Sequence, residues 1–146
     1  MDIKYYYFID KFDKKEIEKL SAQISLIYRN YHKKSDPKEL RKLVTHCRAR
    51  RRKVYISYNL KDAIKYNFDG LYIPSFHKQL RFQNITKKNL ELIGSAHNAG
   101  ELKIKEKQGC SHIFLSPIFR NNKNKKFLDV IKTNLLKNLT KNQIVL

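Results

Sequence analysis

Few cysteines, few carboxylates and no long apolar run mark this 146-residue sequence, and each scarcity argues against a class of protein. Its two cysteines, Cys47 and Cys110, lie far apart, without CxxC spacing and without a nearby pair of histidines. That pattern argues against a disulfide scaffold and against a zinc site. We therefore assign no metal-binding residue and expect a reducing compartment, the cytoplasm.

Long hydrophobic segments are also missing. No apolar run approaches the length of a membrane span, so we expect no membrane partner. The apolar stretch at the amino terminus is interrupted by Asp10 and Lys11 and lacks a small-residue cleavage site, unlike a secretory signal. With 41% hydrophobic residues the chain can build one core, which predicts a single domain over residues 1–146.

Acidic residues are outnumbered by basic ones. Lys and Arg number 32 against 13 Asp and Glu, which gives a formal net charge of +19. Such a chain attracts anions, whether nucleic acid, an anionic membrane or a phosphorylated metabolite. The charge indicates the sign of the partner and not its identity, and lysines that only cover solvated helix faces would give the same count.

Short apolar, aromatic-rich runs alternate with helical patterns along the chain. The runs are nearly continuous in apolar residues, which favours parallel strands covered on both faces. Asp13, Asp36, Asn59 and Asn98 are suited to begin the intervening helices as N-cap residues. The alternation predicts a doubly wound sheet or a (β/α) barrel, and periodicity does not choose between them. The predicted strands are 5–9, 24–28, 54–57, 70–73, 90–94, 112–115 and 143–146.

Two helices show an apolar stripe, and one segment shows none. The second helix places Leu40, Leu43, Val44 and Cys47 on one face, and cations at 48–53 follow at its negative end. In the last helix, the predicted buried stripe is Phe127, Val130, Ile131 and Leu135. Residues 74–88 have no sustained apolar period, so a helix there should be short or missing.

Polar and cationic residues follow the predicted strands, where parallel α/β folds carry their functional groups. Such a set suits a phosphate or diphosphate ester, with Arg29 and a lysine of the sixth loop neutralising charge and Ser95 donating a hydrogen bond. Structural alternatives stay open. Arg29 would then pair with an acid on a neighbouring loop, Ser95 and Asn98 would only begin a helix, and His97 would be structural.

Two segments, LIGSAHN at residues 92–98 and QGCSHIFLSPIF at residues 108–119, resemble the thiamine-phosphate synthase/TenI family. LIGSAHN at residues 92–98 is similar to the Ile-Gly-x-Ser-x-His end of the family's fifth strand. QGCSHIFLSPIF at residues 108–119 resembles its sixth strand, a Gly-Ala-Asp-Tyr run leading into Gly-Pro-Ile-Phe. Weaker matches fall in order at residues 7–10, Arg29 and residues 68–73, so the resemblance covers nearly the whole chain.

The resemblance implies a fold and a function. The fold is α/β of the (β/α)8 TIM-barrel type, here incomplete, with about seven parallel strands and intervening helices. Family synthases join hydroxymethyl-pyrimidine diphosphate to thiazole phosphate using Mg²⁺, and the TenI branch includes thiazole tautomerases. The implied ligand is thus a phosphorylated thiazole or pyrimidine. The implied residues for binding substrate and phosphate are Arg29, Asn59, Ser95, His97, Lys123 and Lys125.

The sequence departs from the family pattern at the positions that carry catalysis. Ser57 and Tyr58 stand where the synthases place an Asn-Asp pair, and Tyr31 stands where they place a lysine. Pro117 replaces the histidine that the tautomerase branch uses. We therefore assign no catalytic residue, leave enzymatic activity undecided, and expect Mg²⁺ only if synthase activity is retained.

The sequence ends where the family's strand seven begins. The eighth βα unit, which with the seventh forms the usual phosphate site of these barrels, has no counterpart. We expect a fragment of a longer product, or self-association through open barrel edges. A nucleic-acid-binding module working through the cations at 48–53 is the alternative function, although no recognised nucleic-acid motif is present.

Overall fold

A computed structural model describes residues 4–82, 89–119 and 126–146. Within them, seven strands alternate with five helices, except between β4 and β5, where residues 74–82 form no helix. The elements are β1 (Tyr5–Ile9), α1 (Lys14–Lys19), β2 (Ile24–Tyr28), α2 (Pro37–Ala49), β3 (Val54–Ser57), α3 (Leu60–Lys65), β4 (Gly70–Ile73), β5 (Glu91–Ala96), α4 (Ala99–Lys107), β6 (His112–Leu115), α5 (Asp129–Asn138) and β7 (Gln143–Val145).

The chain divides into two compact units, Met1–Tyr72 and Ile73–Leu146, and the boundary falls within β4. The prediction of a single domain is not tested by this division. The first unit contains β1 to β4, and the second contains β5 to β7 with the segment that leads into them. Each unit is built on parallel strands that lie in chain order.

In the first unit each strand pairs in parallel with the next one along the chain. Tyr5 lies opposite Ile24, Leu26 opposite Val54, and Tyr55 opposite Gly70. The central strands are buried as the near-continuous apolar runs predicted. Helices α1, α2 and α3 add their apolar residues to this core, which includes Ile17, Leu26, Ile27, Leu40, Leu43, Tyr55, Ile56, Ala63 and Leu71.

The helix starts follow the predicted capping residues. Asp13 accepts a hydrogen bond from the Glu16 backbone at 3.2 Å, and Asp36 accepts one from Lys38 at 2.9 Å. Pro37 occupies the first turn of α2, where its missing N–H has no helical partner to lose. These contacts confirm that side chains at the predicted caps fix where α1 and α2 begin.

The second unit repeats the arrangement with three strands. Ile93 pairs with His112 in parallel, and His112 pairs with Gln143. Strand β5 extends to Ala96, two residues beyond the predicted end, so Ser95 lies inside the strand and not after it. The core of this unit is formed by Ile73, Leu92, Ile93, Leu102, Ile113 and Leu115.

A buried polar cluster fixes the segment after β4 in the second unit. The ammonium of Lys105 donates to the carbonyl of His77 at 2.8 Å and to Oε1 of Gln108 at 2.9 Å. Nε2 of Gln108 donates to the carbonyls of His77 and Gln79, both at 2.9 Å. The cluster thus supplies the hydrogen bonds that a helix would have given to part of residues 74–82.

Gly94 makes room for this cluster. A Cβ there would lie 2.8 Å from Cδ of Lys105 and 3.0 Å from both the Ile73 carbonyl oxygen and Sγ of Cys110. Any larger residue at this position would push against backbone as well as side chain. The glycine therefore has a packing role on the side of β5 that faces α4.

The prediction for the last helix is wrong in its buried face. Val130, Ile131 and Leu135 are 54%, 74% and 60% exposed, and Phe127 precedes the helix and is also exposed. The side chains that α5 buries are Thr133 and Leu136. Apolar residues occur on more than one face of this helix, so spacing alone selects the wrong stripe.

The predicted fold class is confirmed. The strands are parallel and lie in chain order, and each is joined to the next by a helical or irregular connection. The fold is α/β of the (β/α)8 barrel type, with seven strands in the described part of the chain. Among these residues, no helix has the length and apolar content to cross a membrane.

Candidate functional site

Arg29 follows β2 at the carboxyl ends of the first unit's strands. Its backbone N–H donates to the carbonyl of Ile9 at 2.8 Å, which holds the residue beside the end of β1. The guanidinium carbon lies 4.3 Å from the ring centroid of Phe8 and 5.8 Å from that of Tyr31. Within the described ranges no ion pair joins Arg29 to a carboxylate, and the choice between a structural and a ligand-binding role for Arg29 stays a prediction.

The loop after β2 is held in place by one asparagine. Nδ2 of Asn30 donates to the Asp10 carbonyl at 3.1 Å, and its Oδ1 accepts from the backbone of His32 and Lys33, both at 3.0 Å. Asn30 therefore connects this loop to the end of β1 and fixes the backbone conformation around Arg29 and Tyr31. This local turn follows from the ability of Asn side chains to bond nearby backbone.

Two hydroxyls lie close together in the same part of the first unit. The Tyr31 hydroxyl and Oγ of Ser57 are 3.2 Å apart, which joins the ends of β2 and β3. Tyr58 follows with a positive φ of 62° and an exposed ring. A guanidinium on an aromatic ring, next to hydroxyl groups, is the set of groups that binds a phosphate ester attached to a flat ring.

Asn59 has a structural role in this unit. Its Oδ1 accepts from the backbone of Asp62 at 3.0 Å, and its Nδ2 donates to the Asp62 carboxylate at 2.6 Å. Both ends of the amide are therefore engaged in the N-cap of α3. The predicted role of Asn59 in phosphate binding stays a prediction.

Ser95 and His97 lie at the end of β5 in the second unit. Ser95 is buried, and strand alternation places its side chain on the face opposite to Gly94, away from α4. His97 is exposed, and its Nδ1 donates to the carbonyl of Ser116, just after β6. The ring thus ties the ends of two neighbouring strands and leaves Nε2 as the nitrogen without a hydrogen-bond partner in the described ranges.

The turn after β5 is a reciprocal helix cap. Oδ1 of Asn98 accepts from the Glu101 backbone at 2.9 Å, and the Glu101 carboxylate accepts from the His97 backbone at 2.8 Å. The structural reading of Asn98 is therefore correct. Ser116 is joined to Pro117 by a cis peptide bond.

Lys123 and Lys125 lie outside the described residues. The predicted convergence of Arg29, Ser95 and His97 on one ligand stays a prediction, since each unit shows only its own part. Within the first unit, the structure brings Arg29 together with Phe8, Tyr31 and Ser57. The spacing of residues along the sequence did not predict that the Phe8 ring lies beneath Arg29, although Phe8 belongs to the strongly aromatic first strand.

The donors after β3 do not fit the Mg²⁺ that the family resemblance implies. Ser57 and Tyr58 offer hydroxyls, and the Asn59 amide is already engaged, whereas Mg²⁺ in proteins is held through carboxylates. Across the described stretches, no group of three or more His, Cys, Asp or Glu side chains is placed to hold a metal ion.

Comparison with known proteins gives a likeness of fold. The chain matches a thiamine phosphate pyrophosphorylase from Pyrococcus furiosus with a TM-score of 0.63 and 13% sequence identity. The match covers 83% of this chain and 59% of that protein, so the chain spans about three-fifths of its length. At this identity the match shows a shared fold. No protein-family model matches the sequence. No curated protein sequence matches it either.

Proposed function

We propose that the chain binds a phosphorylated heterocycle of the thiamine pathway, thiazole phosphate or hydroxymethyl-pyrimidine diphosphate, at the carboxyl ends of β1 to β3. The observation that carries the proposal is that Arg29 is exposed, lies with its guanidinium over the Phe8 ring and forms no ion pair with an acid in the described chain. The fold likeness to a thiamine phosphate pyrophosphorylase supports this choice of ligand class.

The arrangement around Arg29 suits a phosphate in three ways. The planar guanidinium can donate two parallel hydrogen bonds to phosphate oxygens. Contact with the Phe8 ring restricts its orientation before the ligand arrives, which reduces the entropy lost on binding. The paired hydroxyls of Tyr31 and Ser57 supply further donors.

An aromatic surface is available for the heterocycle. Phe8 packs edge-on against Tyr72 with ring centroids 5.3 Å apart, while the Tyr31 ring is half exposed. A thiazole or pyrimidine ring stacked on Tyr31 would place a phosphate substituent toward Arg29. In the second unit, we include Ser95 and His97 as further ligand-binding groups, with Nε2 of His97 as the accepting atom.

The test is ligand binding by Arg29→Ala, measured by isothermal titration calorimetry with thiazole phosphate, hydroxymethyl-pyrimidine diphosphate and thiamine phosphate. Hydrogen bonds to charged groups contribute about 1.5–3 kcal/mol, so the dissociation constant should rise roughly 10- to 100-fold. Arg41→Ala is the matched control. Arg41 is an exposed arginine whose guanidinium carbon lies 5.8 Å from the Tyr66 ring centroid in the same unit.

Equal binding by Arg29→Ala, Arg41→Ala and the parent chain would contradict the assignment of Arg29. Equal weakening in both variants would mean that only overall charge matters. The titrations are run with and without Mg²⁺, because binding that strictly requires the metal would point to carboxylate ligands, which Ser57, Tyr58 and Asn59 after β3 do not supply.

A further inference from the structure

The turn between α2 and β3 gathers cations that the proposed function does not use. Residues 48–53 read Arg-Ala-Arg-Arg-Arg-Lys, and they lie before the amino-terminal end of β3, away from the carboxyl end where Arg29 lies in the same unit. Arg51 adopts a positive φ of 52° in this turn. The cluster is therefore separate from the Arg29 site.

Two of these arginines have structural roles. Arg50 forms an ion pair with Glu18 at 2.6 Å. Arg52 is 4% exposed and donates to the carbonyls of Leu20 at 2.9 Å, Ile24 at 3.1 Å and Ile17 at 3.4 Å. These contacts account for Arg50 and for the two terminal nitrogens of Arg52. They do not involve Arg48 or Arg51.

The remaining cations border a concave site. A cavity of about 270 Å³ is lined by Arg48, Arg51, Arg52 and Lys53 together with one acid, Asp69. The Asp69 carboxylate accepts from the Val54 backbone at 2.8 Å, so part of its charge serves the start of β3. Four cations therefore face a single, already engaged carboxylate.

Several donors of the residues that line this cavity have no acceptor in the described part of the chain. Nε of the buried Arg52 is without a hydrogen-bond partner among the described residues. The Arg51 side chain is exposed and makes no hydrogen bond or ion pair in that part of the chain. Arg48 donates to the Asn67 carbonyl at 3.3 Å and retains its other donors. The guanidinium donors of Arg51 and the remaining donors of Arg48 are therefore available to an anion in the cavity.

A second cavity continues the site on the other side of Arg51 and Lys53. It measures about 200 Å³, and its polar lining includes Lys4, Gln23 and Ser25 beside the two shared cations. A ligand with several linked phosphate groups would reach both cavities, with Arg51 and Lys53 between them. A nucleic-acid backbone is usually bound along an extended basic surface, whereas these cations converge on two small clefts.

From this geometry we propose a second anion site, distinct from the Arg29 site, that binds the oligophosphate group of a small molecule between Arg48, Arg51 and Lys53. Arginine forks suit phosphate oxygens through paired hydrogen bonds, and several fixed cations together favour a multiply charged group. The site lies within the first unit and needs no residue from outside it.

Binding of inorganic tripolyphosphate at constant ionic strength tests the proposal. The double variant Arg51→Gln/Lys53→Gln should bind at least tenfold more weakly than the parent chain in calorimetric titration. The matched control, Lys15→Gln/Lys38→Gln, removes two exposed cations from α1 and α2 and should stay within twofold of the parent. Equal weakening in both double variants, or no saturable binding to the parent, would overturn the proposal.

Two further arms distinguish this site from the Arg29 site and from a nucleic-acid surface. Arg29→Gln should still bind tripolyphosphate at the site that Arg51→Gln/Lys53→Gln loses, and loss of all saturable binding in Arg29→Gln would place the anion at the Arg29 site and refute the second one. A 20-nucleotide single strand should bind with no dependence on Arg51 and Lys53. If it binds more tightly than tripolyphosphate and loses affinity in the same double variant, the surface is a nucleic-acid site instead. Arg48→Gln, which leaves the turn unaltered, repeats the test should the double variant fail to fold.

Discussion

At the scale of single residues, Lys105 is the most unusual side chain in the described chain. It is wholly buried, and it hydrogen-bonds to a carbonyl and an amide oxygen, without a carboxylate. Burial lowers its pKa from the ordinary 10.5 to about 8. The same burial raises the pKa of its neighbour Cys110 from 9.0 to about 12. No sequence pattern marks this lysine, since lysines are frequent throughout the chain.

The lowered pKa of Lys105 predicts a specific pH dependence of stability. Between pH 8 and 10.5 the unfolded chain holds this proton more tightly than the folded chain, so the free energy of unfolding rises with pH. From pH 8 to 9 the contribution of Lys105 should rise by about 1 kcal/mol, since a full unit corresponds to about 1.4 kcal/mol, and it is read as the difference between the parent chain and Lys105→Met. Urea unfolding of the parent chain and of Lys105→Met at pH 7, 8, 8.5 and 9 measures it.

The rise of the free energy of unfolding with pH ends near pH 9 because of the two buried cysteines. Burial raises the pKa of Cys47 to about 11 and that of Cys110 to about 12. Thiols of the unfolded chain, with an ordinary pKa of 9.0, begin to ionise between pH 8 and 9 while the folded ones stay protonated, which offsets the rise and then lowers stability in the parent and in the lysine variants alike. Lys103→Met, an exposed change on the same helix, should keep the rise. A rise of the same size in Lys105→Met would contradict the assignment to Lys105.

At the scale of elements, the parts that the sequence predicts well are those with a local cause. Strands β1 to β4 coincide with the apolar runs, and Asp36 caps α2 where the pattern places it. The face of α5 was missed because Ile131 and Leu136 are equally apolar, and only packing decides which is buried. The Phe8–Arg29 contact was missed because it joins neighbouring strands, and spacing along the chain does not show it.

The two roles considered for Asn59, capping α3 and binding a ligand, can be tested separately. Asn59→Ala removes the acceptor of the Asp62 backbone hydrogen bond and should lower the free energy of unfolding by about 1 kcal/mol. Asn59→Ser keeps a capping oxygen and should recover most of that loss. Both variants should bind thiazole phosphate as the parent does, in unfolding and titration experiments respectively.

Weaker ligand binding by Asn59→Ser, with stability preserved, would return Asn59 to the set of binding residues. The comparison is informative because serine and asparagine serve equally well as N-caps. Their difference lies in the amide nitrogen, which the structure directs to the Asp62 carboxylate at 2.6 Å.

At the scale of the whole molecule, the excess of positive charge is the dominant property. With 32 basic and 13 acidic side chains, the acids can neutralise fewer than half of the cations. The mutual repulsion of the cations opposes compact structure, because folding brings the charges closer together. The proposed anion sites at Arg29 and Arg51 are places where bound phosphate would relieve part of this repulsion.

Self-repulsion predicts that dilute salt destabilises the chain. Lowering NaCl from 0.1 M to 0.01 M lengthens electrostatic screening from about 10 Å to about 30 Å, so more pairs of cations repel each other and the melting temperature should fall. Lys15→Glu/Lys38→Glu should show a smaller fall, because each exchange lowers the net charge by two.

Tripolyphosphate should raise the melting temperature above its value in NaCl of the same ionic strength. Arg51→Gln/Lys53→Gln should lose that additional rise, while its melting temperature keeps its dependence on NaCl. A melting temperature independent of NaCl would show that repulsion is not limiting; an equal rise with tripolyphosphate in both chains would mean that screening, and not a site, accounts for the effect.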